Sequence, residues 1–221
     1  MGHVIAIDGP AGAGKSTIAR RLADKLGYIY IDTGAMYRAI AMWALNLGIP
    51  VDDAAKVEQL ALAAEIEMLP GRRILLNGED VSEAIREPGI AVAASRVAAL
   101  GPVRRALVAR QREIGEKNNV VMEGRDIGAV VFPDARVKIY LDADHGERVR
   151  RRAAEQPAMA PGELEAQITE RDRRDRQRTE SPLVQAPDAV YMDSTELSPD
   201  ELEERILKLV RERISNGKAA W

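Results

Sequence analysis

The stretch Gly9-Pro10-Ala11-Gly12-Ala13-Gly14-Lys15-Ser16 decides how this chain folds. An apolar run, 4–8, precedes it, and a segment with apolar residues at helical spacing, 17–26, follows it. The spacing is G-x-x-x-x-G-K-[ST], which is typical of a loop that wraps phosphate groups between a strand and a helix. A Gly/Ala-rich connecting turn is the alternative, but the strand before and the amphipathic helix after favour the phosphate loop. The sequence therefore predicts a nucleoside-triphosphate site.

Each residue type in this loop has a physical role. Glycines let the backbone turn where a side chain would not fit, and they bring N–H groups against phosphate oxygens. The positive end of the following helix favours an anion at the same place. We expect Lys15 to reach the β- and γ-phosphates and the Ser16 hydroxyl to be a ligand of Mg²⁺. The predicted nucleotide-binding residues are Gly9, Pro10, Ala11, Gly12, Ala13, Gly14, Lys15, Ser16 and Thr17.

The bulk composition bounds the class of protein. The chain has 221 residues, of which 46% are hydrophobic and 30% charged, with a formal net charge of −3. This is enough for a buried core in a single domain, 1–221, with insertions, and the balanced charge argues against a general nucleic-acid binder. The absence of cysteine excludes disulfides, thiolate–metal sites and a cysteine nucleophile. No apolar run reaches membrane-spanning length, so we expect a cytoplasmic monomer that binds neither membrane nor nucleic acid.

Short apolar runs alternate with helix-length amphipathic segments, which indicates βαβ units and a parallel sheet. The predicted strands are 4–8, 28–32, 120–123, 137–142 and 190–194. Several end in an acid, and ligands bind at the carboxyl ends of strands in an open parallel sheet. Glu123 is one of these acids and would hold Mg²⁺ through water, although a strand-end acid can also cap the next turn. We predict an α/β fold with a five-stranded parallel sheet flanked by helices.

The pattern changes between the second and third of these strands. Three short strand-like runs lie there, at 65–69, 72–76 and 79–82. Asn77-Gly78 joins the last two, and Asn-Gly between apolar runs is a strong hairpin signal. Two helical segments follow, at 89–100 and 103–117. We therefore predict an inserted subdomain, 63–118, that contains a small antiparallel sheet and covers a second substrate.

Two charged helices joined by a Pro/Gly-containing break are predicted near the end of the chain, at 144–156 and 163–179. The arginines in or beside them are Arg148, Arg150, Arg151, Arg152, Arg171, Arg173, Arg174, Arg176 and Arg178. Helical pairs such as Asp172–Arg176 and Arg171–Asp175 account for some of them, since charged helix faces are usually solvated. The remaining positive charge predicts a mobile lid, 148–172, whose arginines stabilise a transferring phosphoryl group.

The sequence offers no obvious general base for this site. Its histidines are His3 and His145, and both lie outside the predicted site. A kinase that acts on a hydroxyl needs a base. A phosphate monoester has a second pKa of about 6, so near neutral pH it is already an anionic nucleophile. The arginine-rich segments without a base therefore favour a phosphorylated acceptor.

Four further motifs lie along the chain. They are Asp32-Thr33-Gly34-Ala35-Met36-Tyr37-Arg38, Ala94-Ser95-Arg96-Val97-Ala98, Glu123-Gly124-Arg125-Asp126-Ile127-Gly128 with Val130-Val131-Phe132-Pro133-Asp134-Ala135, and Arg171-Asp172-Arg173-Arg174-Asp175-Arg176-Gln177-Arg178. With them the chain resembles the bacterial cytidylate kinase family of nucleoside-monophosphate kinases, over residues 4–214. The phosphate loop is shared by many enzymes, but these motifs together are specific to that family. The resemblance implies the P-loop nucleoside-monophosphate kinase fold, with ATP, Mg²⁺ and an acceptor that is CMP or dCMP.

The resemblance also implies which residues act on the phosphates. Thr33, Arg38 and Arg125 would hold the phosphate of CMP, and Arg178 would close on it from the lid side. The catalytic residues would be Lys15, Arg125 and Arg178. They would stabilise the charge of the γ-phosphoryl group as it passes in line from ATP.

For the nucleoside, the resemblance implies that Ser95, Arg104 and Asp126 read the cytosine ring and that Asp175 binds the ribose hydroxyls. Cytosine has an amino donor beside adjoining acceptors. A carboxylate on the amino group, with Arg and Ser on the acceptors, is complementary to it. Uracil would place a carbonyl against Asp126, so two acceptors would face each other at a cost of a few kcal/mol.

Two other functions fit the phosphate loop. A small-molecule hydroxyl kinase would use Asp32, at its strand end, as the base. A GTP-binding switch would act by binding alone, but such switches carry [NT]-K-x-D late in the chain, and no lysine of this sequence fits that pattern. We therefore predict ATP-dependent phosphorylation of CMP and dCMP.

Overall fold

The computed structural model describes residues 2–87 and 89–215. The strands in this part of the chain are β1 (Val4–Asp8), β2 (Ile29–Asp32), β3 (Ile66–Leu69), β4 (Arg73–Leu76), β5 (Glu79–Asp80), β6 (Val120–Gly124), β7 (Val137–Asp142) and β8 (Val190–Asp193). The helices are α1 (Lys15–Leu26), α2 (Thr33–Asn46), α3 (Ala54–Ala63), α4 (Ile90–Val97), α5 (Gly101–Lys117), α6 (His145–Glu155), α7 (Pro161–Gln177) and α8 (Pro199–Ser215). A π-helical turn, Ile127–Val131, follows β6.

A parallel sheet of five strands, in the order β2-β6-β1-β7-β8, forms the centre of the fold. The five predicted strands and their parallel arrangement are therefore confirmed. Asp8 lies opposite Gly124, and Asp32 lies opposite Glu123. The carboxyl ends of β1, β2 and β6 consequently meet at one edge, where the acids that end these strands come together. β6 is buried along its whole length, as expected for a strand covered on both faces.

Helices cover both faces of this sheet. On one face Leu22 of α1 and Ile206 of α8 belong to a core with side chains of β1 and β7. On the other face Val108 of α5 and Ile127 of the π-helical turn pack with Met122 of β6. Each fully buried aliphatic side chain contributes about 1.5–3 kcal/mol. Within the described residues, no helix is both long enough and apolar enough to cross a bilayer.

A separate apolar core lies under the inserted region. Side chains of α2, α3, α4 and α5 pack there with those of β4. β3, β4 and β5 form the predicted antiparallel sheet, with Ile66 opposite Leu76. Asn77 and Gly78 close the second hairpin with φ angles of 53° and 83°, as a type I′ turn requires. The antiparallel sheet is confirmed, and the subdomain boundaries 63–118 stay a prediction.

α6 and α7 form a helical hairpin close to the predicted positions. The Asp144 carboxylate caps α6 by accepting the N–H of Gly146 at 2.8 Å. α7 begins at Pro161, a residue favoured at the first helical position because its ring fixes a helical φ. Leu164 and Ile168 are the buried apolar residues of α7. The mobility of a lid over 148–172 stays a prediction.

Candidate active site

The phosphate loop runs from the end of β1 to the start of α1. Gly9, Gly12 and Gly14 have φ angles of 147°, 80° and 88°, which L-residues rarely adopt. A Cβ atom at Gly9 would lie 1.9 Å from the carbonyl oxygen of Leu141, and one at Gly12 would lie 2.9 Å from that of Arg148. Glycine is therefore required at these two positions, both by the backbone conformation and by the space available.

Lys15 is the first residue of α1, and its buried side chain folds back over the loop. Its Nζ donates a hydrogen bond to the carbonyl oxygen of Pro10 at 2.7 Å. Burial, together with the nearby Arg125 guanidinium, lowers the pKa of Lys15 to about 7. A bound anion would favour the charged form of this amine. The geometry therefore suits a lysine that meets a phosphate chain lying along the loop.

Glu123, near the end of β6, lies beside Ser16 of α1. The Ser16 hydroxyl donates to one carboxylate oxygen at 3.0 Å, and the Tyr30 hydroxyl donates to the other at 2.5 Å. Burial and the nearby Asp32 carboxylate raise the pKa of Glu123. The pair supplies hydroxyl and carboxylate oxygens, which are the ligands that Mg²⁺ prefers, so these residues fit the ion. Glu123 does not cap the following turn, because the first amides of that turn donate to Asp8 instead.

The end of β2 holds a carboxylate and an arginine. Asp32 accepts the N–H of Ala35 at 3.1 Å and a hydrogen bond from Nη2 of Arg38 at 2.7 Å. Burial by itself would raise the pKa of Asp32, but the Arg38 guanidinium holds it below its usual value. Nε of Arg38 is buried and has no hydrogen-bond partner among the described residues. The Thr33 hydroxyl donates to the backbone carbonyl of Glu123 at 2.7 Å, so these residues lie at the same edge of the sheet.

Five charged residues form one ion-pair network at this edge. Nε of Arg125 lies 2.9 Å from Oδ2 of Asp175, and Nη1 of Arg178 lies 3.6 Å from its Oδ1. Nη2 of Arg104 donates to Oδ2 of Asp126 at 2.6 Å, and Nη2 of Arg178 lies 3.8 Å from Oδ1 of Asp126. Burial by itself would raise the pKa of Asp175, but Arg125 and its neighbours hold it below its usual value. In the described part of the chain, Nε of Arg104 and Nη2 of Arg178 are buried without a hydrogen-bond partner.

Ser95 of α4 is joined to α7 rather than to this network directly. Its Oγ accepts a hydrogen bond from Nη1 of Arg174 at 2.7 Å. Tyr37 contacts the network from α2, with Cζ of Arg104 5.2 Å from the ring centroid in a cation–π contact. The sequence analysis places Arg174 among the arginines in or beside the lid without an individual role and assigns none to Tyr37, although both lie inside motifs that carry the family resemblance. Their contacts cross between distant segments, so spacing could not identify them.

Arg148 is a structural link rather than a free lid arginine. It is buried, and its Nη1 donates to a backbone carbonyl of the phosphate loop at 3.1 Å and to Asp172 at 2.5 Å. Of the two predicted helical pairs, Arg171–Asp175 is present at 3.9 Å. The predicted pair of Asp172 with Arg176 is wrong, because Asp172 faces inward and pairs with Arg148.

An open cleft lies between α4, α7 and the phosphate loop. Arg152, Arg171 and Arg174 line it together with Ala11 and Ser95. Burial and a neighbouring guanidinium lower the pKa of Arg171 to about 10. The Glu170 carboxylate, paired with Arg174 at 2.9 Å, also lines the cleft, but three guanidinium groups outnumber it and favour an anionic ligand. The phosphate loop, through Ala11, thus borders a cleft with an excess of positive charge.

A phosphate loop with a hydroxyl–carboxylate pair, set beside an arginine-lined second site, defines a P-loop phosphotransferase with a charged acceptor. A family model described as cytidylate kinase matches residues 5–212. A cytidylate kinase of Solibacter usitatus is 60% identical over 221 residues, with 97% of this chain and 95% of that protein covered. The chain belongs to the cytidylate kinase family.

Two other comparisons bear on the extent and the fold. A bifunctional pantoate ligase/cytidylate kinase of Synechococcus sp. (strain JA-3-3Ab) is 48% identical, and the match covers 98% of this chain but 42% of that protein. A crystal structure of a gluconokinase from Sinorhizobium meliloti 1021 matches with a TM-score of 0.53 at 15% identity, covering 100% of this chain and 98% of that one. That likeness shows the P-loop kinase fold alone.

Proposed function

We propose a division of roles for the reaction of this family. The chain is a (d)CMP kinase, which transfers a phosphoryl group from ATP to CMP or dCMP. A bond forms between an oxygen of the CMP phosphate and the γ-phosphorus, while the bond to the β–γ bridging oxygen breaks and leaves ADP. The attacking phosphate, with a second pKa of about 6, needs no base near neutral pH. The protein's task is to position both nucleotides and to neutralise their charge.

Residues 9–17 would bind the triphosphate of ATP. The positive φ angles of Gly9, Gly12 and Gly14 support this role, because they allow backbone N–H groups to converge on phosphate oxygens. Lys15 would exchange its hydrogen bond with the Pro10 carbonyl for one with the β- or γ-phosphate. It would then carry a full positive charge and stabilise the γ-phosphoryl group during transfer.

Ser16 and Glu123 would hold the Mg²⁺ ion, Ser16 through its hydroxyl and Glu123 through water. Their hydrogen bond of 3.0 Å supports a shared ion, because it holds a hydroxyl oxygen and a carboxylate oxygen next to each other. Mg²⁺ in proteins is usually bound by one or two carboxylates, with waters and substrate phosphates as the other ligands. When bound, the ion neutralises charge on the β- and γ-phosphate oxygens.

Thr33, Arg38, Arg125 and Arg178 would bind the phosphate of CMP. Arg38 and Arg178 each have a buried nitrogen without a hydrogen-bond partner among the described residues, which supports an anion between them. Their carboxylate partners keep these arginines in place before CMP binds, so less side-chain entropy is lost on binding. Arg125 and Arg178 would also stabilise the transferring group, so each serves both binding and catalysis.

Ser95, Arg104 and Asp126 would read the cytosine ring. The hydrogen bond of 2.6 Å between Arg104 and Asp126 supports this, because it leaves Oδ1 of Asp126 to accept from the amino group. Ser95 accepts from Arg174, so its own O–H stays available to donate to a ring acceptor. Asp175 would bind the ribose hydroxyls.

Closure over the substrates would complete the site. The inserted region, 63–118, and the lid, 148–172, would approach each other and exclude water from the phosphates. The hydrogen bond from Arg174 to Ser95 already joins α7 to α4 and supports a coupled motion of the two.

A hydroxyl kinase with Asp32 as its base is not favoured. Asp32 accepts two hydrogen bonds, one from Arg38 and one from the first turn of α2, and its pKa is held below its usual value. A general base works best with a pKa near the operating pH. A GTP-binding switch is not favoured either, since the family is one of kinases.

The observation that carries this assignment is the Arg104–Asp126 pair beside two further arginines, and cytosine selectivity tests it. A coupled ADP assay with CMP, dCMP, UMP and AMP should give kcat/KM for CMP at least ~10² above that for AMP and UMP. Asp126→Asn should lower the CMP-to-UMP ratio about tenfold or more, because the NH₂ of asparagine can donate to the uracil carbonyl oxygen that a carboxylate repels. Asp134→Asn, an exposed acid just after the same turn, is the matched control. Equal rates on all four nucleotides would contradict the assignment.

A further inference from the structure

Asp8, the last residue of β1, is a buried carboxylate for which the proposed reaction has no use. Its exposed fraction is 5%. Oδ1 accepts the N–H of Ile127 at 2.8 Å, and Oδ2 accepts the N–H of Gly128 at 2.7 Å. Asp8 therefore connects the strand that leads into the phosphate loop to the turn that follows β6.

These two amides belong to the first residues of the π-helical turn Ile127–Val131. The first N–H groups of a helical turn have no partner inside it, and the side chain of the preceding N-cap residue usually accepts them. Asp126 occupies the N-cap position, yet its side chain makes no capping hydrogen bond. Its carboxylate instead accepts from Arg104 at 2.6 Å. Asp8 caps the turn from a different strand and leaves the Asp126 carboxylate available.

We propose that Asp8 is a positioning residue for the acceptor nucleotide, which fixes this turn so that Arg125 and Asp126 present their side chains to CMP. The proposal rests on the proposed function, in which Arg125 holds the acceptor phosphate and Asp126 reads the base. Asp8 itself acts through the backbone of the turn and contacts neither nucleotide. A small rotation of the turn would move Asp126 relative to the cytosine amino group.

The chemistry of the contact requires a carboxylate. The two N–H donors meet different oxygens of Asp8, so the contact uses both acceptor oxygens of the carboxylate. Asparagine has one acceptor, and its NH₂ would face the second N–H, which would leave a buried amide without a partner. Burial raises the pKa of Asp8 to about 6 despite the opposing effect of the two amides. The charged form is thus costly to bury, which favours a functional over a purely stabilising reason for the acid.

The test is Asp8→Asn, assayed with CMP and with UMP at saturating ATP. We expect kcat/KM for CMP to fall about tenfold, mainly through a higher KM for CMP, as one buried amide loses its acceptor. The CMP-to-UMP ratio should fall in the same direction as in Asp126→Asn. Hydrogen exchange of the segment 125–131 should become faster in the folded variant, since the N–H groups of Ile127 and Gly128 no longer both have an acceptor.

Glu203→Gln is the matched control. Glu203 is a carboxylate with an exposed fraction of 1%, and it pairs with Arg21 and Lys25 between α1 and α8. Its loss should lower stability and leave the CMP-to-UMP ratio unchanged. If Asp8→Asn behaves like this control, with both KM values and the ratio unchanged, Asp8 only supports the fold and the proposal is overturned.

Two outcomes distinguish a failure of the role proposed for Asp8 from a failure of the proposed function. If Asp126→Asn lowers the CMP-to-UMP ratio but Asp8→Asn does not, the proposed function stands and the role of Asp8 falls. If Asp126→Asn leaves the ratio unchanged, both are contradicted.

Should Asp8→Asn yield no folded protein, Gly128→Ala makes the same test. Its methyl group would lie 3.1 Å from Cδ of Lys138, a buried side chain held by Pro133 and Asp188, and 3.4 Å from Oδ2 of Asp8, so the turn and the Lys138 side chain must separate by a few tenths of an ångström. An unchanged ratio in that variant overturns the proposal.

Discussion

The phosphate loop and the proposed acceptor site are built in opposite ways. The loop is one continuous segment, 9–17, whose backbone takes a conformation that only glycine allows at Gly9 and Gly12. The acceptor site is assembled from side chains of separate segments, on α2, α4, α5, α7 and the turn after β6. Backbone recognition suits a group common to all triphosphates. Side-chain recognition suits a substrate that must be told apart from its relatives, because donors and acceptors can be placed one by one.

This contrast indicates which part of the site can distinguish one nucleotide from another. Backbone N–H groups cannot be exchanged by substitution, so the loop offers little means of choosing between nucleotides. The ion-pair network can be altered one residue at a time. Variants in the loop should therefore affect ATP and the rate of transfer, while variants in the network should affect CMP.

The largest expected effect is on Lys15. In Lys15→Ala kcat should fall on the order of 10³-fold, because the γ-phosphoryl group would lose the cation proposed to stabilise it. Stability should change by less than ~1 kcal/mol, since burying the ammonium is unfavourable. Steady-state kinetics and urea denaturation measure the two. Lys25→Ala, on the same helix and paired with Glu203, is the control with normal kcat. A loss of stability as large as the loss of activity would identify Lys15 as a structural residue.

Arg38→Ala should affect the acceptor side. We expect KM for CMP to rise about 10²-fold and KM for ATP to change little, because one guanidinium proposed to bind the CMP phosphate is removed. Kinetics with each substrate varied in turn measure both constants. Arg96→Ala is the control, since Arg96 pairs with Asp52 on the exposed side of α4. A larger rise in KM for ATP than for CMP would place the two substrates the other way round.

Gly12→Ala should affect ATP and not CMP, the opposite of what is expected for Arg38→Ala. Gly12 has a φ of 80°, and its added methyl group would meet the Arg148 backbone at 2.9 Å. We expect KM for ATP to rise about tenfold and KM for CMP to stay unchanged, as a left-handed conformation costs an L-residue about 1–2 kcal/mol. Gly48→Ala is matched in φ, at 67°, and has open space around it. Equal effects of the two substitutions on KM for ATP would show that the loop does not depend on close backbone approach.

The smallest expected effect concerns the pH dependence of stability. Burial raises the pKa of Asp8 from 3.8 to about 6, with Asp126 raising it further and Lys15 lowering it. The folded state therefore holds the proton more tightly than the unfolded state. The stabilisation of the folded state by the proton on Asp8 is fully present below pH 3.8 and is lost as the pH rises through about 6. The free energy of unfolding of the wild type, minus that of Asp8→Asn, should fall by ~1 kcal/mol between about pH 5 and pH 7. A constant difference would contradict this pKa.

Local patterns predict the strands and the phosphate loop because each is determined by a continuous run of neighbouring residues. Where the prediction missed, a side-chain contact that the apolar pattern does not encode decided the outcome, either close by or far along the chain. The strand expected at 79–82 ends at Asp80, whose carboxylate accepts the N–H of Ser82 at 3.0 Å. The turn Ile127–Val131 has no polar–apolar period, and its cap comes from Asp8, 119 residues earlier.

The acceptor site shows the same limit. Its residues were named only through the family resemblance, since no spacing rule links Ser95 to Arg174 or Arg104 to Asp126. The structure brings Arg104, Arg125, Asp126, Asp175 and Arg178 into one network, and their roles stay a proposal.

A crystal of the protein soaked with CMP shows where the acceptor nucleotide binds. We expect the pyrimidine ring within hydrogen-bond distance of Ser95, Arg104 and Asp126, with its phosphate against Arg38. A pyrimidine bound anywhere else would contradict this expectation, and the residues that identify the acceptor would then have to be sought in that other place.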